Sequence, residues 1–265
     1  MPNSLRLLLL AAALLAASCA SRGPQQPAVP QADTSPIKGQ ESTLTQRAQI
    51  RTDLAVGYYE RGQMDVALEE LGEAARLDPN YPRIYNVYGL VYTAMGDTAK
   101  AEENYRHALA LAPTDSDIRH NWGVYLCATG HARESIPEFE QAFRNPLYRT
   151  PEIALINAGK CSVSFGDFAH GETYFRQALT VSPGQPVAAY NLALLSYRQA
   201  KLDEARAWMR PVMQQSVPPP EALYLGMCIE RKQGDRQAEL SYASQLRNRF
   251  PDAAETRAIA GGACE

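Results

Sequence analysis

Small, aromatic and aliphatic residues recur along this chain at a spacing of about 34 positions, from Ala48 to Pro251. Each unit holds two stretches whose apolar residues fall three and four apart, the signature of paired amphipathic helices. In the first unit Leu54, Ala55 and Tyr58 share one face of a helix A. Ala67, Leu71 and Ala74 share one face of a helix B, and Pro79 ends it. The same offsets hold Tyr88, Gly89, Tyr92, Ala101, Tyr105 and Ala108 in the second unit, and Trp122, Gly123, Leu126, Ser135, Phe139 and Ala142 in the third. They hold Ala158, Gly159, Ser162, Gly171, Phe175 and Ala178 in the fourth, Leu192, Ala193, Ser196, Ala205, Met209 and Val212 in the fifth, and Leu225, Gly226, Ile229, Ala238 and Tyr242 in the sixth. The units start near residues 48, 82, 116, 152, 186 and 219.

Close helix crossing explains the small residues. Gly89, Gly123, Gly159 and Gly226 are expected to meet Ala67, Ala101, Ser135 and Ala238, with large residues filling the space left over. Gly62, Gly96, Gly130, Gly166 and Gly234 sit where a left-handed C-cap would end helix A. Asp97, Asp167 and Asp235 follow, placed to cap helix B. The fifth unit departs from this scheme, with Lys201 expected in place of the turn glycine and Pro211 where helix B should continue. Pro137 is expected to kink helix B of the third unit, and two extra residues fall around Arg144 to Leu147.

Six such units resemble the tetratricopeptide repeat. The expected fold is all-α: a right-handed superhelical solenoid of six helix–turn–helix repeats over residues 47–252, closed by a C-terminal capping segment, 253–265. A solenoid of this kind offers a long concave wall suited to binding another protein.

The first residues place this solenoid in a compartment. Arg6 followed by the apolar run Leu7–Leu15 reads as a secretory signal, residues 1–18, too short for a settled membrane span. Small residues then precede Cys19 as in a bacterial lipobox, which implies cleavage before Cys19 and its acylation. Ala20, not Asp, follows, which resembles the class sorted to the outer membrane of Gram-negative cells. Residues 19–46, with Pro24, Pro27, Pro30 and Pro36 among Gln, Ser and Thr, read as a disordered tether.

Export permits disulfides. Apart from Cys19, four cysteines remain, and three pairings are open to them. Cys127 and Cys161 lie on neighbouring helices A, and Cys228 lies near the tail that carries Cys264. The bridges favoured are 127–161 and 228–264, against buried free thiols.

Little else suggests chemistry. The formal net charge is −3 with no basic stripe, so no nucleic-acid partner is expected. No phosphate loop, nucleophile elbow or zinc motif is present, and no catalytic residue, metal, cofactor or small-molecule substrate is expected. Of the histidines His107, His120, His131 and His170, His107 and His131 lack a Cys or carboxylate partner at a catalytic or ligand offset, and His120 reads as a solvated polar residue near the groove. Asn121, Asn157 and Asn191 recur at one offset in three repeats, with Tyr59, Leu90, Val124, Ile156, Val163, Tyr190, Leu194 and Tyr197 nearby. Amides offer both a donor and an acceptor to a peptide backbone, and the apolar neighbours would anchor its side chains. The competing reading is that these amides belong to the repeat itself.

Lipobox, tether and six repeats, with the stretches Tyr85–Tyr92, Ala101–Leu109, Asn121–Cys127 and Asn157–Cys161, resemble the type IV pilus biogenesis lipoproteins PilF and PilW, the pilotins. The cysteines on the third and fourth helices A are the most specific point of likeness. The resemblance implies a lipid-anchored outer-membrane protein facing the periplasm. It would bind secretin subunits, help them reach the outer membrane and promote their assembly into a channel. The alternative is a general envelope scaffold that organises peptidoglycan or other cell-envelope enzymes.

Overall fold

The computed structural model describes residues 38–262 and residue 264, and the described residues are helical apart from turns and links. Thirteen helices follow one another: α1 (Lys38–Glu60), α2 (Met64–Leu77), α3 (Pro82–Met95), α4 (Thr98–Leu111), α5 (Ser116–Ala128), α6 (Ala132–Arg144), α7 (Pro151–Ser164), α8 (Phe168–Val181), α9 (Pro186–Arg198), α10 (Leu202–Met213), α11 (Pro220–Gln233), α12 (Arg236–Arg249) and α13 (Ala254–Gly261). Each odd helix up to α11 pairs with the even helix after it. Successive odd helices approach one another closely along their backbones, whereas even helices stand further apart and meet through side chains, as Tyr174 does with Glu140 and Arg176 with Glu204. The stack therefore curves with α1, α3, α5, α7, α9 and α11 on its inner wall. The last helix, α13, packs on α11 and α12.

The signal residues, Cys19 and the prolines of the tether lie outside the described residues. The tether was expected to run to residue 46, but α1 already begins at Lys38. No proline occurs between Pro36 and Pro79, so nothing in that stretch forbids a helix.

Within a repeat, helix A meets helix B through a glycine and a ring sixteen residues later. A Cβ on Gly89 would lie 2.6 Å from the Tyr105 ring, on Gly123 2.8 Å from Phe139, and on Gly159 2.5 Å from Phe175. On Gly226 it would lie 3.3 Å from Tyr242 and 2.9 Å from Met213. The partners expected from the sequence, small residues of helix B, are thus replaced by rings one turn further along. The exception is Gly171, whose Cβ would come 3.1 Å from the Gly159 carbonyl oxygen. The rings of Tyr105, Phe139 and Phe175 are almost wholly buried. Each contributes about 3 kcal/mol of hydrophobic stabilisation.

Helix ends follow the turn chemistry in most repeats. Gly96 ends α3 in the left-handed region, with φ of 78°, and Asp97 accepts the Lys100 N–H to cap α4. Asp167 and Asp235 cap α8 and α12 in the same way. The fifth repeat breaks the scheme one residue earlier than the sequence suggested. Ala200, not Lys201, takes the glycine position, with φ of 58°. Lys201 occupies the N-cap of α10, where no side chain caps the helix. A non-glycine residue in this conformation costs about 1 kcal/mol.

Helices α6 and α10 run on through Pro137 and Pro211. The backbone bond each proline forgoes would fall on Arg133 or Ala207, both exposed, where water can satisfy the freed carbonyl.

Candidate protein-binding wall

The asparagine offsets place Asn121, Asn157 and Asn191 on α5, α7 and α9, but their amides turn along the stack. Asn121 Nδ2 donates to Asn86 Oδ1 on the preceding repeat at 3.1 Å. Asn157 Nδ2 lies 3.1 Å from His120 Nε2, again one repeat back. At the third step the equivalent preceding residue is Ile156, which offers no acceptor. Asn191 instead donates to the Val187 carbonyl of its own helix at 2.8 Å. Two of the three amides thus staple neighbouring repeats.

His120 is the main correction among the polar residues. It is buried, not solvated. Tyr148 places its hydroxyl 2.8 Å from Nδ1, and the Phe139 ring meets the imidazole edge to face at 5.8 Å. The two extra residues after α6 make this possible. Asn145 Nδ2 donates to Ser116 Oγ and its Oδ1 accepts the Leu147 N–H, folding the link so that Tyr148 reaches back onto α5. Burial pushes the imidazole down to about 4, which keeps it neutral near pH 7.

Two disulfides join the odd helices and the tail. Cys127 of α5 is bonded to Cys161 of α7, with Cα atoms 6.0 Å apart, and Cys228 of α11 is bonded to Cys264, with Cα atoms 5.4 Å apart. Two further ties hold the tail. Tyr197 donates its hydroxyl to the Cys264 carbonyl at 2.7 Å, and Arg231 Nη1 donates to the Gly262 carbonyl at 3.1 Å. Arg231 Nε also holds the buried Glu239 at 2.8 Å, and Arg236 reaches the same carboxylate at 2.8 Å. The Arg231 hydrogen bond, then Arg236, keeps the Glu239 carboxyl below its ordinary range.

Three clefts run along the wall from the third repeat to the tail. The first, about 210 Å³, lies over the 127–161 bridge between Val124, Ala128, Phe139, Asn157 and Lys160. The second, about 300 Å³, shares Lys160 and continues past Val187, Asn191 and Pro219 to Tyr190 and Glu221. The third, about 310 Å³, shares Tyr190 and Glu221 and is bounded by Leu194, Tyr197, Tyr224 and Leu225, with Ala254, Glu255 and Ala258 of α13 on its far side. Burial chiefly, with Glu221 and Glu255 adding to it, raises the Tyr190 hydroxyl.

The residues expected in the groove therefore divide. Val124, Asn157, Tyr190, Asn191, Leu194 and Tyr197 line these clefts. Tyr59 and Leu90 are half-buried against the cores of the first repeats. Ile156 is buried, and Val163 is half-buried against Gly171, so neither lines a cleft. The sequence reading missed Lys160, Glu221, Tyr224 and the α13 residues. Their only signal was their offset on helix A, or a tail position that no periodicity reaches.

Among the described residues no cluster of His, Cys, Asp or Glu is placed to hold a metal ion, and no helix is long and apolar enough to cross a membrane.

Models of the tetratricopeptide repeat match residues 57–96, 82–115 and 163–211. The type IV pilus assembly protein PilF of Pseudomonas aeruginosa is 26% identical over 202 residues, covering 76% of this chain and 80% of that protein. The crystal structure of PilW, described as a widely conserved type IV pilus biogenesis factor, superposes with a TM-score of 0.73 at 29% identity, covering 80% of this chain and 98% of that one. The structure of Pseudomonas aeruginosa PilF superposes with a TM-score of 0.75 over 83% of this chain and 100% of that one, at 24% identity, and shows the shared fold.

Proposed function

Because the chain is a tetratricopeptide-repeat protein homologous to the type IV pilus assembly protein PilF, we propose that it is a pilotin: an outer-membrane lipoprotein that binds secretin subunits and promotes their localisation and multimerisation. The observation that supports this most is the likeness over three quarters of the chain, joined to a signal segment that ends at Cys19. Acylation at Cys19 would anchor the protein on the periplasmic face, since more than one acyl chain gives stable attachment. The tether then carries the solenoid away from the bilayer.

On the solenoid, the wall from Val124 to Tyr224 supplies the chemistry for holding a subunit before assembly. Its half-exposed aliphatic and tyrosine side chains cover apolar surface that would otherwise aggregate. Lys160 and Glu221 fix orientation, because charges at the rim of an apolar groove select register more than they add affinity. Disulfides at both ends of this wall hold its odd helices in place before a partner arrives, which lowers the ordering cost of binding.

Deletion of the gene should remove secretin multimers from outer-membrane fractions, and Cys19→Ala should misplace both the lipoprotein and the secretin. Normal multimers in the deletion strain would overturn the proposal. Recovery of peptidoglycan enzymes instead of secretin with the tagged protein would favour the scaffold alternative.

A further inference from the structure

The cleft between α9, α11 and α13 differs from the rest of the wall in the sign of its charges. Two carboxylates line it, Glu221 from the first turn of α11 and Glu255 from the first turn of α13, and no lysine, arginine or histidine lines it. The half-buried rings of Tyr190 and Tyr224 line the same cleft, with the buried Tyr197 at its floor. Neither carboxylate forms an ion pair among the described residues. The next cleft along carries Lys160, so the change of sign happens within the wall.

Tyrosine faces carry negative electrostatic potential and attract cations within about 6 Å. The structure already shows this at one ring, where Lys232 Nζ lies 4.2 Å from the Tyr197 centroid. A lysine or arginine side chain also has an apolar stem, which suits an apolar floor beneath a charged rim. The volume, about 310 Å³, is ample for one such side chain together with a neighbouring aliphatic one.

We propose that this cleft is a subsite for a basic side chain of a partner peptide, with the tyrosines packing its stem and Glu221 and Glu255 meeting its charge. The reading rests on the wall being the partner-binding face and adds the chemistry of one anchor. The α13 wall of the subsite is held by its packing on α11 and α12 and by the Cys228–Cys264 bridge beyond it.

The test uses the full-length chain in detergent and fluorescein-labelled peptides of sequence Gly-Ala-Leu-Ala-Lys-Ala-Leu-Ala-Gly, with the lysine kept or replaced by norleucine or glutamate. Fluorescence anisotropy should show the lysine peptide binding about tenfold more tightly than the norleucine peptide, the equivalent of about 1.4 kcal/mol. The glutamate peptide should bind weakest. The preference should shrink at high salt, and the double variant E221Q/E255Q should abolish it, so that the lysine and norleucine peptides bind equally. Equal binding of the lysine and norleucine peptides would overturn the basic subsite, as would a lysine preference that survives in the double variant. Either result would leave the wider reading to be judged separately by secretin multimers in the deletion strain. Binding of none of the peptides would overturn the subsite itself.

Discussion

The first two repeats and the last four are built on one pattern but secured differently. In α1 to α3 the core consists of aliphatic residues such as Ala55, Leu71, Ile84 and Val87, ringed by half-buried tyrosines, and the buried ring of Tyr105 joins α4 to α3. Exposed ion pairs such as Arg83–Asp53 add little to it. From α5 onward one disulfide joins α5 to α7 and another joins α11 to the tail, a histidine is buried at a repeat junction, and two buried carboxylates, Glu230 and Glu239, are held by arginines. The three clefts lie in this second region. In an array where each repeat touches only its neighbours, local fastening sets local stability. The difference teaches that the part of the wall proposed to face the partner is the part with the more durable fastenings.

The contrast can be broken most severely at the C-terminal latch. The Cys228–Cys264 bridge closes a loop with a separation of 36 residues, which corresponds to about 4 kcal/mol in the chain-entropy account. Cys264→Ser should lower the melting temperature by roughly 10 °C. Hydrogen exchange should quicken in α11 to α13 and stay unchanged in α1 to α4. Uniform loss of protection across all six repeats would show that the regions are not separately secured.

A somewhat smaller effect is expected at His120. Its folded pKa of about 4 lies below the unfolded value of 6.5, so the unfolded chain binds the extra proton first. The stabilisation from the neutral ring is fully present above pH 6.5 and is lost as pH falls toward 4. The full difference is about 3 kcal/mol. Thermal melts from pH 7 to pH 4 should show a steeper loss for the native chain than for His120→Gln. Parallel curves would mean that the junction does not depend on a neutral imidazole.

The smallest effect sharpens the comparison in the other direction. Ala200→Gly should stabilise the fifth repeat by about 1 kcal/mol, since the left-handed residue there carries a Cβ. A melting temperature that rises by roughly 3 °C would agree. No change, or a fall, would mean that the turn is not strained.

The helices themselves were readable because their apolar spacing and their turn glycines repeat. Gly89, Gly123 and Gly159 announced close approach correctly. Their partners were misassigned because a repeat pattern tells which positions are small or aromatic, not which ones face each other. His120 was misplaced for a related reason. Its burial depends on Tyr148, which arrives through an insertion that no other repeat has. Lys201 was assigned one position late, because without a glycine the turn has no marker in the sequence. The third cleft was half visible: Tyr190, Leu194 and Tyr197 follow the helix A pattern, whereas Glu255 and Ala258 belong to a tail outside any period.

The central claim is that the concave wall of the last four repeats is the face that meets the secretin. A photoreactive residue placed in living cells at Val124 or Tyr190, on that wall, is compared with one at the exposed Arg106 on the even helix α4. The account predicts secretin adducts from Val124 and Tyr190 and none from Arg106. Adducts from Arg106 alone, or a wall that yields none while secretin multimers still depend on the protein, would contradict it.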